Sequence, residues 1–203
     1  MSAISFGIRF VPAGTGSAVW DDPHSEHMIQ RFMPHNRGQE PCVGIVYLGN
    51  ARPTPGVLRD VVIRVGEDAK AGRYGACSSI FICSQDEATR AVISDIAAQQ
   101  NVAVFVNSSA LSFQDAEPAG GLTAKDRETL DLVLKAGGTL TAMEFARRQG
   151  IEQTAAGNRL VSLHKKGYLQ RVERPHPTGD LFIDPRSVRP AGGSSETTED
   201  PNS

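Results

Sequence analysis

A series of helical patterns, each ended by glycine, constrains the fold of the C-terminal third more than any other feature of the sequence. The first pattern begins after Thr123, a residue type that favours the N-cap position. It places Leu130, Val133 and Leu134 on one face, which is the spacing of an amphipathic helix. Gly137 ends the pattern, because glycine readily adopts the left-handed conformation that follows a helix.

A second, shorter helix is predicted in TLTAMEFARRQG, residues 139–150. Thr141 and Glu144 have the spacing of a capping box, in which each side chain accepts a hydrogen bond from the backbone N–H of the other residue. Met143 and Phe145 are expected to contribute buried area. Gly150 ends the helix, so only a tight turn at residues 149–152 separates it from the next one.

The third helix lies in TAAGNRLVSLHKKGYLQR, residues 154–171. At about 100° per residue, Ala156, Leu160 and Leu163 fall on one face, which is expected to be buried. Gly167 ends the helix directly after two lysines. The opposite face carries Thr154, Asn158, Val161, Ser162 and Lys165. The sequence therefore predicts a helix that packs through one face and presents the other to a partner.

Two apolar strand patterns follow the third helix, separated by RPHPTGD, and they predict a β-hairpin. Three helices and a hairpin, with the tight turn at residues 149–152, resemble the winged helix-turn-helix regulators of the MarR and ArsR type. The resemblance covers residues 122–189. It implies a winged-helix fold and binding of duplex DNA, with the third helix in the major groove, as in transcription regulation.

Polar side chains near the start of the third helix suit base reading, and basic side chains around it suit phosphate contacts. Asn158 can pair with adenine, and Gly157 would let the helix backbone approach the DNA closely. Alternatively, Gly157 has no contact role and only weakens the helix, by about 1 kcal/mol relative to alanine. Arg147 and Arg148 are further candidates for phosphate contact. The predicted DNA-binding residues are Thr154, Gly157, Asn158, Arg159, Val161, Ser162, Lys165, Lys166, Arg171, Arg174 and His176.

The preceding part of the chain alternates short apolar runs with helical patterns. Strands are predicted at residues 43–48, 78–84 and 102–109, with a helix between each pair, and residues 4–11 also alternate as a strand would. This order predicts a small α/β domain with a partly parallel sheet. The predicted division of the chain is a poorly defined segment at 1–40, the α/β domain at 41–109, a linker at 110–121, the winged helix at 122–189 and a disordered acidic tail at 190–203.

Charge is distributed unevenly between these parts. Residues 1–120 hold 9 Lys/Arg and 12 Asp/Glu, whereas residues 121–190 hold 12 and 8, a net charge of +4. Such asymmetry is typical of chains that contact nucleic acid. The 3 cysteines form no C-x-x-C pair, and no apolar run reaches the roughly 20 residues of a membrane span. We therefore expect a cytoplasmic protein with reduced thiols and no membrane contact.

Two other functions fit the same sequence. The winged helix could dock a partner protein, with the α/β domain as a scaffold. Alternatively, an enzyme site could lie near Asp86, just after a strand, where open α/β sheets place their ligands; the simpler interpretation of Asp86 is a helix start with an ion pair to Arg90.

No catalytic set, metal site or cofactor site is expected. His24, His27 and His35 have acidic neighbours, but their spacing lacks a metal-binding motif, and a surface loop is the favoured interpretation. Because one winged helix covers only a short stretch of DNA, we expect a homodimer formed through the N-terminal domain.

Overall fold

The structure is a computed structural model that describes six stretches of the chain. The segment 13–40 with its three histidines, the hairpin tip with His176, and the acidic tail lie outside the described residues. For residues 7–12 only the backbone is described. The described stretches are residues 7–12, 42–50, 52–71, 79–110, 112–174 and 179–187.

A mixed five-stranded sheet forms the centre of the molecule, in the spatial order β1-β2-β3-β4-β5. The three central strands run parallel, and the two outer strands pair with them in antiparallel orientation. The strands are β1 (Gly7–Pro12), β2 (Cys42–Gly49), β3 (Ser79–Ser84), β4 (Val104–Asn107) and β5 (Glu117–Ala119). The predicted α/β class with a partly parallel sheet is confirmed.

Two helices cover one face of this sheet, α1 (Pro55–Lys70) and α2 (Glu87–Gln100). They connect successive parallel strands, and their apolar sides pack on the alternate side chains of the strands, as in Val62 and Ile93 against Ile80 and Ile82. Thr54 caps α1 by accepting a hydrogen bond from the N–H of Val57. We call this apolar cluster the helix-face core.

The C-terminal elements form a second unit of three helices and a three-stranded antiparallel sheet of order β6-β8-β7. The predicted capping box of Thr141 with Glu144 and the predicted N-cap at Thr123 are confirmed, and Thr123 also forms a capping box with Asp126. The elements are α3 (Ala124–Lys135), β6 (Thr139–Thr141), α4 (Ala142–Gln149), α5 (Gln153–Lys166), β7 (Gln170–Val172), β8 (Leu181–Ile183) and a short 3-10 turn at Pro185–Ser187.

This second unit packs on the other face of the five-stranded sheet, and the two share one apolar cluster, which we call the shared core. Phe81 stacks on Phe105 with ring centroids 4.9 Å apart, and Tyr168 meets Phe105 edge-on at 6.1 Å. The Tyr168 hydroxyl donates a hydrogen bond to the carbonyl oxygen of Ala119 in β5. The sheet therefore lies between the α1–α2 layer and the C-terminal unit.

The segment 110–121, which the sequence predicts as a linker, contributes to this packing. It contains β5, and Phe113 is buried against Phe81 at a centroid distance of 4.3 Å. Its low periodicity reflects a short edge strand and a buried turn. Physically, this segment joins the sheet to the C-terminal unit through buried apolar contacts.

Among the helices in the described stretches, none combines the length and the apolar character that crossing a bilayer requires.

Candidate nucleic-acid interface

Helix α5 has two faces of opposite character. Ala156, Leu160 and Leu163 are completely buried in the shared core. On the other side Thr154, Asn158, Ser162 and Lys165 are exposed. These four follow one another at intervals of three or four residues, so they form a single stripe along the helix. The structure thus brings the predicted polar residues together on one accessible surface, which we call the α5 stripe.

Two predicted contact residues lie away from the α5 stripe. Val161 is partly buried and packs against the shared core, so its side chain is engaged within the protein. Gly157 faces α4, because a Cβ built on it would meet only the Cβ of Ala142, at 3.8 Å. The sequence predicted both as contact residues because helical angles alone do not show how far α4 and the core extend around α5.

The first turn of α5 lacks a side-chain cap. Its N-cap residue is Glu152, which is exposed and makes no capping hydrogen bond. Backbone N–H groups at a helix N-terminus attract anions because they are unsatisfied and lie at the positive end of the helix dipole. The first turn of α5 therefore offers donors to an external acceptor, next to Thr154.

Lys166 is held by a neighbouring carboxylate. Its Nζ lies 2.7 Å from Oδ2 of Asp126, which also accepts hydrogen bonds from the N–H and hydroxyl of Thr123. Burial alone would raise the pKa of Asp126, but the hydrogen bonds from Lys166 and Thr123 outweigh it, and the pKa lies below its usual value. Because the charge of Lys166 is compensated inside the protein, this lysine is less suited to a phosphate contact than the sequence suggests.

Arg171 is engaged in the same way. Its Nε donates to Oδ2 of Asp180 over 2.7 Å, and its guanidinium also lies 3.8 Å from Glu173. This pair connects β7 with the residue before β8, so it holds the two strands of the hairpin together beside the tip. Arg174, beyond it, is exposed.

Basic side chains flank the start of α5 from two sides. Arg147 and Arg148 in the last turn of α4 are exposed, and Arg159 is half-buried on α5 itself. Glu144, the acidic residue of α4, is occupied by its capping box: hydrogen bonds from the N–H and hydroxyl of Thr141 lower its pKa. Three arginines therefore lie around the first half of α5, together with the carboxylates of Glu144 and Glu152.

Met143 corrects one expectation about α4. The sequence predicts it to be buried, but 55% of its surface is exposed, whereas Phe145 in the same helix is fully buried. The helix has only 8 residues, and its buried residues are Phe145 and Ala146. An exposed methionine beside two arginines is a feature that a partner protein could also contact.

Asp86 has a structural role in the described part of the chain. It caps α2 by accepting from the N–H and hydroxyl of Thr89, each at 2.8 Å, and its other oxygen accepts from Nε of Arg52 at 2.8 Å. These contacts lower the pKa of Asp86, and the hydrogen bond from the Thr89 hydroxyl has the largest effect. The expected pair with Arg90 is wrong, since Arg90 donates instead to the carbonyl oxygens of Ser84 and Gln85.

A cavity of about 330 Å³ lies close to Asp86, at the carboxyl end of β4. Its lining includes Glu87, Arg90, Ser94, Asn107 and Glu117. It is the position that the enzyme alternative requires, but its lining contains neither a histidine nor a cysteine. Within the described residues, no group of three or more His, Cys, Asp or Glu side chains is arranged to hold a metal ion.

The sequence gives no sign of the residues that fix the C-terminal unit. Asp184 is fully buried and pairs with Arg186 at 2.8 Å, and the N–H of Asp184 donates to the carbonyl oxygen of Gly138. Burial raises the pKa of Asp184 and the Arg186 guanidinium opposes that shift. Pairs such as Asp126–Lys166, 40 positions apart, likewise arise only from the fold.

Comparison of the chain with protein-family models, with curated proteins and with solved structures returned no match.

Proposed function

We propose that the C-terminal unit is a winged helix. The supporting observation is the order α3-β6-α4-α5-β7-β8, in which the hairpin of β7 and β8 joins β6 in one antiparallel sheet. The short turn between α4 and α5 and the burial of Ala156, Leu160 and Leu163 fit a helix-turn-helix pair whose second helix keeps one face free.

The function proposed for this unit is binding of duplex DNA, in the context of transcription regulation. The observation that carries the proposal is the α5 stripe, which presents hydrogen-bonding side chains outward while the opposite face is completely buried. An α-helix fits the major groove, and asparagine pairs with adenine through two hydrogen bonds. Thr154 and Asn158 lie in the first half of α5, the part that reaches base edges in helix-turn-helix proteins.

Phosphate contacts are assigned to basic residues near the start of α5, of which Arg147 and Arg148 are exposed and Arg159 is half-buried. Arg147, Arg148 and Arg159 surround this region, and the uncapped first turn adds backbone donors. Lys166 and Arg171 are assigned a structural role instead, because Asp126 and Asp180 neutralise them. His176 and Arg174 belong to the proposed wing.

A dimer formed through the α/β unit completes the proposal, because two winged helices together cover a longer site than one. Analytical ultracentrifugation checks this part. A monomer at the concentration at which DNA is bound would remove the dimer from the proposal and leave DNA binding to be judged by its own test.

DNA binding is tested with random-sequence duplex across a salt series. We expect a dissociation constant on the order of 10⁻⁴–10⁻⁶ M near physiological salt, weakening as salt rises. Arg148→Ala should reduce the slope of log K against log salt by about 0.9, the contribution of one phosphate contact. The matched control is Arg59→Ala, since Arg59 is also exposed but lies on α1, across the sheet from α5.

Base reading is tested by selecting preferred duplexes from a random pool. We expect Asn158→Ala to reduce the preference for a selected duplex over random duplex by roughly 5- to 150-fold, which corresponds to 1–3 kcal/mol for one bidentate contact. Absence of binding at low salt, or equal effects of Arg148→Ala and Arg59→Ala, would reject the proposed interface.

Protein docking is the alternative that a specific observation favours, namely the exposed Met143 beside Arg147. If wild-type protein ignores duplex DNA while Met143→Ala abolishes retention of a partner protein, docking replaces DNA binding as the function of this face.

A further inference from the structure

A cavity of about 210 Å³ lies at the amino ends of β3 and β4, between the C-terminal half of α1 and the end of α5. Gly66, Ala69 and Ala103 line it on the side of the α/β unit, and residues 164–167 line it on the side of α5. The two walls therefore belong to the two halves of the molecule. The cavity lies at the end of α5, beyond Thr154 and Asn158 to which base reading is assigned, and it shares only Lys165 with the α5 stripe.

Each wall of the cavity is held in place by a contact with a buried residue. A Cβ on Gly66 would lie 2.1 Å from Cγ1 of the buried Val102, so the backbone of α1 already packs directly on that side chain. On the opposite wall, the buried Ser79 hydroxyl donates to the carbonyl oxygen of Gly167 over 3.1 Å, which ties the end of α5 to β3. Because neither wall can shift without breaking these contacts, the space between them is built into the fold.

The α5 wall carries positive charge. Lys165 is exposed and has no acidic partner within the described residues, in contrast to Lys166, which pairs with Asp126. His164 adds a second polar group: its Nδ1 lies 3.0 Å from the carbonyl oxygen of Leu169. Since a carbonyl oxygen only accepts, Nδ1 carries the hydrogen, and this bond fixes the imidazole ring against the segment that follows α5.

The α/β wall is small and apolar in character. Gly66, Ala69 and Ala103 present no charged or hydrogen-bonding side chain to the space. The cavity is smaller than the 300–1,000 Å³ typical of drug-sized ligand sites. Its occupant must therefore be a compact molecule with an apolar body and an acidic group.

We infer that this cavity binds a small organic anion, a phosphate monoester or a carboxylate, with its acidic group beside Lys165 and its apolar body against Gly66, Ala69 and Ala103. Such a molecule would contact α1 and α5 at once and hold the end of α5 in place. Binding itself is independent of the proposed function; only its consequence for DNA affinity rests on that function.

The test uses phenyl phosphate with the full chain and no DNA, so that a failure of DNA binding leaves the result interpretable. Amide chemical shifts are followed in an NMR titration. We expect saturable shifts at Gly66, Ala69, Lys165 and Gly167, with a dissociation constant at least tenfold below those of benzyl alcohol and inorganic phosphate, which each supply only one part of the ligand. Equal affinity for all three compounds, or shifts confined to other residues, would overturn the inference.

Two variants address the two walls separately. Ala69→Leu fills the cavity without changing charge, and Lys165→Met removes the charge at an exposed position; each should weaken phenyl phosphate binding at least tenfold. The control is Lys135→Met, because Lys135 is an exposed lysine at the end of α3 that does not line the cavity. If Lys135→Met weakens binding as much as Lys165→Met, the anion responds to net charge alone and the site is rejected.

Discussion

Replacing Gly157 by alanine is expected to stabilise the protein. Gly157 lies in the second turn of α5, where glycine costs about 1 kcal/mol relative to alanine because it loses more backbone freedom on folding. A Cβ at this position meets only the Cβ of Ala142, at 3.8 Å, which is ordinary van der Waals contact. The full propensity gain of about 1 kcal/mol should therefore appear, raising Tm by roughly 2–4 °C for a chain of this size.

Gly66, in helix α1, provides a matched comparison with the opposite sign. The same substitution gains the same propensity, but the new Cβ would lie 2.1 Å from Cγ1 of Val102, a buried β-branched residue that cannot rotate away cheaply. Overpacking of this kind costs about 1–3 kcal/mol, and the severity of this clash places it at the upper end. Gly66→Ala should thus lower the free energy of unfolding by about 1–2 kcal/mol.

Thermal and urea unfolding of the wild type and both variants measure these differences. Duplex DNA binding of Gly157→Ala should match the wild type, because the added methyl group points at α4 and away from the α5 stripe. A lower Tm for Gly157→Ala, or a higher one for Gly66→Ala, would show that the packing of these helices is misassigned. Unchanged stability with lost DNA affinity would mean that Gly157 lies in the interface after all.

Three further predictions concern the C-terminal unit. Arg186→Met leaves Asp184 buried without its cation and should lower the free energy of unfolding in urea by about 3–5 kcal/mol. The control Lys135→Met, at an exposed position, should change it little. A loss below about 1 kcal/mol for Arg186→Met would mean that Asp184 is neutral or solvated. Asp126→Asn should destabilise the protein at neutral pH. Since the pKa of Asp126 is lowered in the folded state, the difference in unfolding free energy from the wild type should be constant above about pH 5 and shrink as the pH falls below 3.8, the ordinary pKa of the group. A difference that does not change with pH would contradict a stabilising role of the ionised Asp126 carboxylate. Tyr168→Phe removes the hydrogen bond to Ala119 and should cost about 1–2 kcal/mol of unfolding free energy. Burial raises the pKa of Tyr168 from its ordinary value of 10.0 to about 12. The unfolding free energy of the wild type should therefore fall between pH 10 and about pH 12, and it should fall by more than that of the Tyr168→Phe variant.

Local signals in the sequence were sufficient for most helices of the C-terminal unit. Thr123 with Asp126 and Thr141 with Glu144 cap helices through neighbours three residues away, and the buried triad of α5 follows from helical spacing alone. These interactions depend on backbone geometry within one or two turns, so a single sequence contains all the information they need.

The same local reasoning failed where the partner is distant in the chain. Segment 110–121 carries no periodicity, yet its Phe113 and β5 join the sheet to the C-terminal unit. Met143 sits in a helix with a clear apolar pattern, but the core does not extend to it.

The sequence by itself determined that α5 has a buried face and an outward face, because helical periodicity is a property of consecutive residues. Only the tertiary structure decided which outward residues are accessible: Thr154, Asn158 and Lys165 are, whereas Val161 packs on the core and Lys166 is neutralised by Asp126. The physical reason is that exposure and charge compensation depend on what other elements bring alongside the helix. Those neighbours include residues 40 and 88 positions away along the chain, and local patterns do not encode them.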